Sequence, residues 1–211
     1  MERSGKLMAQ TPAAGMISYP REAKTMAISD SKTRYTVDDY WLFPEDNVRR
    51  EIIDGELHVT PNPIRKHEMA VGSVFKYLHA FLEAHPLGTV YSSPFSVVLS
   101  DTDVVEPDLA FVSAERSASV TDDGIEGAPD LVVEVLAGPT RRIDETVKRD
   151  LYEEAGVREY WLVDPDERTV RIWRAEKQKF AAPLDLMALA EDVIESPLLP
   201  GFSLPLPQIF S

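Results

Sequence analysis

The 211-residue chain contains no cysteine. This absence excludes disulfide bonds, a thiolate nucleophile and any cysteine-ligated zinc or iron–sulfur centre. It is typical of proteins in a reducing compartment, and we expect a cytoplasmic protein. Long apolar runs are also missing: none approaches the roughly 20 residues that a membrane-spanning helix needs, so we expect no membrane partner.

Positive charge is scarce as well. The chain has 22 lysine and arginine residues against 36 aspartate and glutamate residues, which gives a net charge of −14. A protein this acidic gains no general attraction to phosphate backbones, so nucleic-acid binding would require a local basic patch or metal ions. The composition, 44% hydrophobic and 27% charged, is otherwise that of a globular protein.

The two ends of the chain differ from its body. Residues 1–33 have no sustained hydrophobic periodicity and lack the continuous apolar centre of a signal peptide. We predict a flexible N-terminal tail over residues 1–33 and a single domain over residues 34–211. Near the other end, a helix or an inner strand is excluded by Pro197, Pro200, Pro205 and Pro207. The apolar residues between these prolines predict an ordered segment laid over the domain.

The body of the chain alternates between strand and helix patterns. Apolar residues at helical spacing predict a long helix over 64–85 and a second helix over 141–155. Strands are predicted at 50–53, 56–60, 89–92, 95–99, 104–112, 130–136, 157–163 and 169–174, with a surface loop over 113–128. These elements predict an α/β fold of seven or eight strands, with a mixed β-sheet flanked by helices.

Acidic residues are concentrated in one segment. Residues 101–134 contain ten acidic residues and one basic residue. Within it, Glu134 interrupts the apolar run Leu-Val-Val-Glu-Val-Leu, where a carboxylate is costly to bury unless it is paired or bound to a metal. If strands 104–112 and 130–136 are neighbours, Asp108 and Glu134 can face each other across roughly 5 Å. Such oxygen ligands suit Mg²⁺ or Mn²⁺, which would separate the two repelling charges.

Two further residues are candidates for the same site. Asp144, Lys148 and Tyr152 follow each other at intervals of four residues, so they share a helix face. A lysine there could hold an attacking water or stabilise developing phosphoryl charge. Glu51, in the hairpin, could add another oxygen ligand.

Each candidate also has a structural alternative. The alternatives are loop capping for Asp108, a helix-surface ion pair with Asp144 or Glu145 for Lys148, and a cross-strand partner in Arg49 or Arg50 for Glu51.

Short motifs occur in an order that resembles a known family. They are Glu51-Ile52-Ile53-Asp54-Gly55, His67, Glu106-Pro107-Asp108, Pro129-Asp130-Leu131-Val132-Val133-Glu134, Asp144, Lys148, Tyr152, Glu159-Tyr160-Trp161-Leu162-Val163-Asp164-Pro165 and Leu199-Pro200-Gly201-Phe202. Together they resemble the PD-(D/E)XK nuclease superfamily and, within it, the Uma2 family of bacterial proteins related to restriction endonucleases. The resemblance covers about residues 35–210.

The resemblance implies a restriction-endonuclease-like core and a metal-dependent endonuclease. Asp108 would be the aspartate of the "PD" element and Glu134 the second acid, and with Glu51 they would hold Mg²⁺ or Mn²⁺. The superfamily's usual lysine position is occupied by Leu136, and the resemblance moves the lysine to Lys148. The implied partner is nucleic acid, in the first place DNA, and related nucleases often pair, so a homodimer is expected by analogy.

Two other functions fit the sequence. A non-catalytic interaction or regulatory module that retains the fold is favoured by the net charge and by the absence of a strand lysine. A metal-dependent hydrolase of another phosphate ester is the third possibility.

Against the charge argument, we expect a local basic cluster beside the site, formed by Arg141, Arg142, Lys148 and Arg149. Asp130 is expected to begin its strand and cap a turn, and His67 to be either a helix-entry or a surface histidine rather than a catalytic one.

Overall fold

The computed structural model describes residues 34–44, 46, 48–60, 64–138 and 140–211. The tail predicted for residues 1–33 lies outside the described residues. None of the helices in the described ranges is long and apolar enough to cross a membrane.

The described helical segments are few. The α-helices are α1 (Val37–Tyr40), α2 (Arg65–Ala84) and α3 (Arg149–Ala155). A π-helical turn at Ile143–Lys148 leads directly into α3. Short 3₁₀ helices occur at Ala114–Ser119, Ala188–Ala190 and Leu206–Gln208.

Most of the remaining regular structure is β-strand. The first seven strands are β1 (Arg49–Ile53), β2 (Glu56–Thr60), β3 (Gly88–Ser92), β4 (Val97–Ser100), β5 (Asp103–Val105), β6 (Leu109–Ser113) and β7 (Ile125–Glu126). The next seven are β8 (Leu131–Val135), β9 (Glu159–Asp164), β10 (Thr169–Glu176), β11 (Lys179–Phe180), β12 (Leu184–Met187), β13 (Val193–Ser196) and β14 (Leu199–Pro205). The described strands exceed the predicted seven or eight because short strands such as β7 and β11 are too brief to show periodicity.

The strands form three sheets. A seven-stranded sheet has the order β11-β10-β9-β8-β6-β3, with β12 also pairing to β10. A five-stranded sheet has the order β2-β1-β5-β4-β7, and β13 and β14 form a two-stranded sheet. In the seven-stranded sheet β8 and β9 are parallel, and the segment that contains the π-helical turn and α3 connects them. The predicted mixed α/β class is confirmed.

The central strand β8 is covered on both faces. Leu131, Val133 and Val135 belong to a core cluster that includes the buried face of α2. Val132 belongs to a second cluster, which contains Tyr152. This division confirms the predicted alternation along the strand and leaves Glu134 on the same side as Val132. The apolar run therefore forces one carboxylate into the interior.

The strand predicted over 104–112 is wrong in one respect. It is divided into β5 and β6, which belong to different sheets and are separated by Glu106-Pro107-Asp108. Pro107 has no amide hydrogen to donate to a neighbouring strand, so it interrupts the ladder. Val105 consequently packs with Ala110 in one cluster, whereas the alternation predicted it with Leu109 and Phe111. Asp108 lies at the junction of the two sheets.

One other prediction needs correction and two are confirmed. The segment 113–128 is not only loop, since it contains a 3₁₀ helix and β7. The helix predicted over 141–155 is confirmed, because these residues are helical throughout, and it contains a π-helical turn at Ile143–Lys148, a conformation frequent at functional sites. The proline-rich C-terminal segment is ordered as predicted: β14 pairs only with β13, and Leu199 and Phe202 are buried in the core beside α2.

Candidate metal centre

Asp108 immediately precedes β6 and reaches the neighbouring strand. β6 and β8 are antiparallel, with Leu109 opposite Val133, so the same register places Asp108 opposite Glu134. The Oδ2 atom of Asp108 accepts the backbone N–H of Val135 at 2.7 Å and lies 3.0 Å from Nε2 of His67. Its Oδ1 atom lies 3.0 Å from Nη1 of Arg49. The carboxylate is therefore buried, and both of its oxygens have polar partners.

Glu134 is buried in the middle of β8 and is 2% exposed. Its Oε1 atom accepts hydrogen bonds from Nζ of Lys148 at 2.9 Å and from the hydroxyl of Tyr152 at 2.8 Å. Its Oε2 atom lies 3.6 Å from Nη2 of Arg49. The free-energy cost of burying this carboxylate, predicted from the sequence, is thus offset by two cationic side chains and a hydroxyl.

Glu51 reaches the same point from the five-stranded sheet. It lies on β1, is 3% exposed, and accepts the backbone N–H of Glu106 at 2.9 Å through Oε1. The same oxygen is 2.7 Å from Nζ of Lys148 and 3.7 Å from Nη2 of Arg49. Three carboxylates therefore contact the guanidinium of Arg49, and two of them, those of Glu51 and Glu134, also contact Lys148.

Lys148 lies at the end of the π-helical turn, and its ammonium group is enclosed by acids. Besides Glu51 and Glu134, its Nζ atom is 3.6 Å from Oδ1 of Asp144. Burial alone would lower the pKa of Lys148, but the three carboxylates raise it, so the side chain is charged. The predicted helix face of Asp144, Lys148 and Tyr152 is confirmed, because all three are buried. The ion pair with Asp144 that was considered for Lys148 is present, but it is buried rather than on the helix surface.

Arg49 was considered in the sequence only as an ordinary cross-strand partner. Its guanidinium contacts all three predicted metal ligands, and Nη2 also donates to the carbonyl oxygen of Glu106. Its Nε atom is buried and has no hydrogen-bond partner in the described part of the chain. One sequence feature could have indicated Arg49 as a site residue. It lies two residues before Glu51, so both side chains are on one face of β1. That spacing does not reveal where the side chain ends.

The electrostatics show an excess of buried negative charge. Burial and the neighbouring carboxylates raise the pKa of Glu134 to about 7, against the effect of Lys148. Burial likewise raises the pKa of Asp144 to about 6. Burial alone would raise the pKa of Asp108, but the hydrogen bond from His67 and the charge of Arg49 lower it to about 2. Four buried acids therefore compete for two strong bases and one histidine.

The predicted basic cluster beside the site is largely neutralised. Lys148 is buried among acids, Arg141 lies 2.8 Å from Asp164, and Arg149 lies 2.5 Å from Asp150. Arg142 differs from the other three, because it is exposed and forms no ion pair within the described ranges, so its charge is left to offset the net charge of the chain.

Two other predictions can be compared with the structure. Asp130 is structural as expected, since it accepts the backbone N–H of Ser113 at 2.8 Å and pairs with Arg158 at 3.2 Å. His67 does stand in the first turn of α2, but it is buried rather than on the surface.

The donors fit a hard divalent cation in chemistry and charge. The oxygens of Asp108, Glu134 and Glu51 are the ligand type that Mg²⁺ and Mn²⁺ prefer. A divalent ion would also balance the surplus negative charge. Among the described residues, however, no three acidic or histidine side chains stand ready to hold a metal ion. The guanidinium of Arg49 lies among the three ligands, so it would have to withdraw from them.

Comparison with known proteins identifies the family. The sequence model of the Uma2 family, described as "Putative restriction endonuclease", matches residues 37–207. Because this match covers most of the chain, the chain belongs to the Uma2 family.

A solved structure supports the same fold. It is the crystal structure of a "putative nuclease belonging to DUF820" from Anabaena variabilis ATCC 29413. The TM-score is 0.69 at 20% sequence identity, and the match covers 83% of this chain and 97% of that chain. The search of curated proteins found no match. The structural likeness shows that the two proteins share a mixed α/β fold.

Proposed function

We propose that this protein is a metal-dependent endonuclease that hydrolyses phosphodiester bonds in nucleic acid, with DNA as its expected substrate. The observation that supports it most is the convergence of Asp108, Glu134 and Glu51 on one guanidinium. A position where three buried carboxylates share one cation is chemically suited to a divalent ion.

In this proposal Asp108, Glu134 and Glu51 hold Mg²⁺ or Mn²⁺. Such an ion supplies Lewis acidity toward a phosphoryl oxygen and lowers the pKa of a bound water. Asp108 presents Oδ1 because its Oδ2 atom is already occupied by His67 and Val135. Glu134 presents Oε2 because its Oε1 atom is occupied by Lys148 and Tyr152.

Lys148 has two roles in the proposed site. Its contacts with Oε1 of both Glu51 and Glu134 act to lower the pKa of each carboxyl and fix their orientation. Its positive charge, held in an interior of low dielectric, also stabilises the negative charge that develops on a phosphoryl group undergoing attack.

The position of α2 favours a phosphate ligand. This 20-residue helix begins at Arg65, and its first turn contacts Asp108 through His67. The N-terminus of a helix carries partial positive charge and attracts anions. A phosphate approaching Asp108 would therefore meet a favourable local field in spite of the net charge of −14.

The function can be tested with purified protein, plasmid and single-stranded substrates, and Mg²⁺ or Mn²⁺. We expect cleavage that requires the metal and is lost in Asp108→Asn. The matched control is Asp122→Asn, which removes an exposed carboxylate from the same acidic segment and should leave the rate unchanged. Absence of any cleavage that depends on both the metal and Asp108, across this range of substrates, would contradict the proposal.

A second function, a non-catalytic interaction module, is favoured by one observation. The carboxylate oxygens of Asp108 and Glu134 all have polar partners inside the protein, so their charges are already balanced without a metal ion. Such a module has no reason to bind a divalent ion. Calorimetry with Mn²⁺ distinguishes the two functions, because saturable binding that is lost in Asp108→Asn supports the nuclease.

A further inference from the structure

His67 makes one specific polar contact. Its Nε2 atom lies 3.0 Å from Oδ2 of Asp108, and the residue is 5% exposed in the first turn of α2. Because the carboxyl of Asp108 is ionised, it can only accept, and the imidazole must donate through Nε2. The helix therefore delivers a hydrogen-bond donor to the acid at the junction of the two sheets.

The other ring nitrogen has no comparable partner. Nδ1 of His67 is buried and forms no hydrogen bond with any residue that the structure describes, and Oε1 of Glu68 lies 3.5 Å from it. A buried polar atom without a partner is unfavourable, and an apolar side chain at this position would avoid it. The contact with Asp108 is the interaction that accounts for a histidine here.

The two oxygens of the Asp108 carboxylate have different polar partners. Oδ2 receives two donors, the imidazole of His67 and the backbone N–H of Val135 at 2.7 Å. Oδ1 is contacted by the guanidinium of Arg49, which also reaches Glu134. The two donors on Oδ2 therefore fix the carboxylate plane and direct Oδ1 toward the other acids.

We propose that His67 is a positioning residue, which holds Asp108 so that Oδ1 faces the cation shared with Glu134 and Glu51. This inference rests on the proposed metal-dependent function. It does not require His67 to touch substrate or metal. Residues that orient a metal ligand typically contribute 10- to 100-fold to metal affinity or activity.

The chain offers variants that separate positioning from packing. His67→Gln retains an amide N–H at about the reach of Nε2, whereas His67→Asn carries the same amide on a side chain one methylene shorter. The control is His79→Asn on the same helix, because His79 is exposed and lies near Glu83. Asp108→Asn tests the metal site itself. Each variant is measured for its Mn²⁺ dissociation constant, its cleavage kinetics and its melting temperature.

We expect His67→Asn to weaken Mn²⁺ binding by about tenfold or more, and His67→Gln to restore it to within about threefold of wild type. His79→Asn should bind as wild type does, and Asp108→Asn should not bind. The inference is overturned if Asp108→Asn abolishes binding while both His67 variants bind as wild type, or while both lose affinity equally. In that case the metal site stands. If Asp108→Asn retains full affinity, the proposed metal site fails, and the inference fails with it.

Discussion

Nη1 of Arg49 lies 3.0 Å from Oδ1 of Asp108, and Nη2 of the same guanidinium lies 3.6 Å from Oε2 of Glu134. The other oxygen of each carboxylate is bound by other residues: Oδ2 of Asp108 by His67 and Val135, and Oε1 of Glu134 by Lys148 and Tyr152. A basic side chain thus lies where the proposed function requires a divalent ion. The relationship makes Arg49 a competitor of the metal.

Replacing Arg49 with glutamine should strengthen Mn²⁺ binding. Loss of the guanidinium frees Oδ1 of Asp108 and increases the negative charge of the cluster. We expect the dissociation constant to fall by about tenfold, which corresponds to about 1.4 kcal/mol. The control is Arg50→Gln, on the same strand but paired with Asp46. Unchanged or weaker binding in Arg49→Gln, measured by calorimetry, would show that the guanidinium and the metal do not compete.

Replacing Lys148 with methionine should destabilise the metal-free protein strongly. The variant leaves Glu51, Glu134 and Asp144 without their shared ammonium group, and breaking a buried ion pair from one side costs about 3–5 kcal/mol. The control is Lys66→Met, since the pair with Asp166 is exposed and should contribute less than about 1 kcal/mol. The free energy of unfolding is measured in urea with a chelator present.

A double variant isolates the interaction between Lys148 and Glu134. Lys148→Met combined with Glu134→Gln removes both members of the pair, so its cost should be smaller than the sum of the two single costs. We expect a coupling of about 0.5–3 kcal/mol. Additive costs would mean that the 2.9 Å contact contributes nothing to stability.

The stability of the metal-free protein should depend on Glu134 in a defined pH window. The pKa of Glu134 is raised from 4.5 to about 7, so the folded state binds this proton more tightly than the unfolded state. The contribution of Glu134 to stability therefore falls as the pH rises from about 4.5 to about 7. The free energy of unfolding of wild type minus that of Glu134→Gln should decrease across this window. A difference that stays constant or rises with pH would contradict the raised pKa of Glu134.

The packing of α2 on the sheet gives a prediction about the fold. Leu78 is completely buried on the face of α2 that packs in the core with β8. Leu78→Ala should lower the free energy of unfolding by about 2–5 kcal/mol because it leaves a cavity. Leu189→Ala, at a residue that is 91% exposed, should change it by less than about 0.5 kcal/mol. Equal effects in urea unfolding would contradict the described packing.

The sequence predicts those features that depend on periodicity along the chain. The buried helix face of α2, the two-sided burial of β8 and the inward position of Glu134 all follow from the spacing of apolar residues. The face shared by Asp144, Lys148 and Tyr152 follows from helical spacing. These local patterns are sufficient because neighbouring residues determine them.

Other features depend on contacts that spacing cannot reveal. The prediction of one strand over 104–112 failed because Pro107 transfers the chain from one sheet to another, and alternation does not continue through such a junction. Arg49 resembles any charged strand residue until β1 is placed beside Asp108. His67 resembles a surface histidine until α2 is packed on the sheet. Sheet order is set by tertiary packing, so the contacts of Arg49 and His67 with Asp108 could not be predicted from residue spacing, although His67 is one of the family motifs.

The central claim is that Asp108 and Glu134 hold one divalent ion, and anomalous diffraction from crystals soaked in Mn²⁺ tests it most directly. We expect a single strong peak within coordination distance, roughly 2.1 Å, of carboxylate oxygens from both residues, with the Arg49 guanidinium displaced. Crystals that show no peak there, with Arg49 still bound to both carboxylates at saturating Mn²⁺, would contradict the claim.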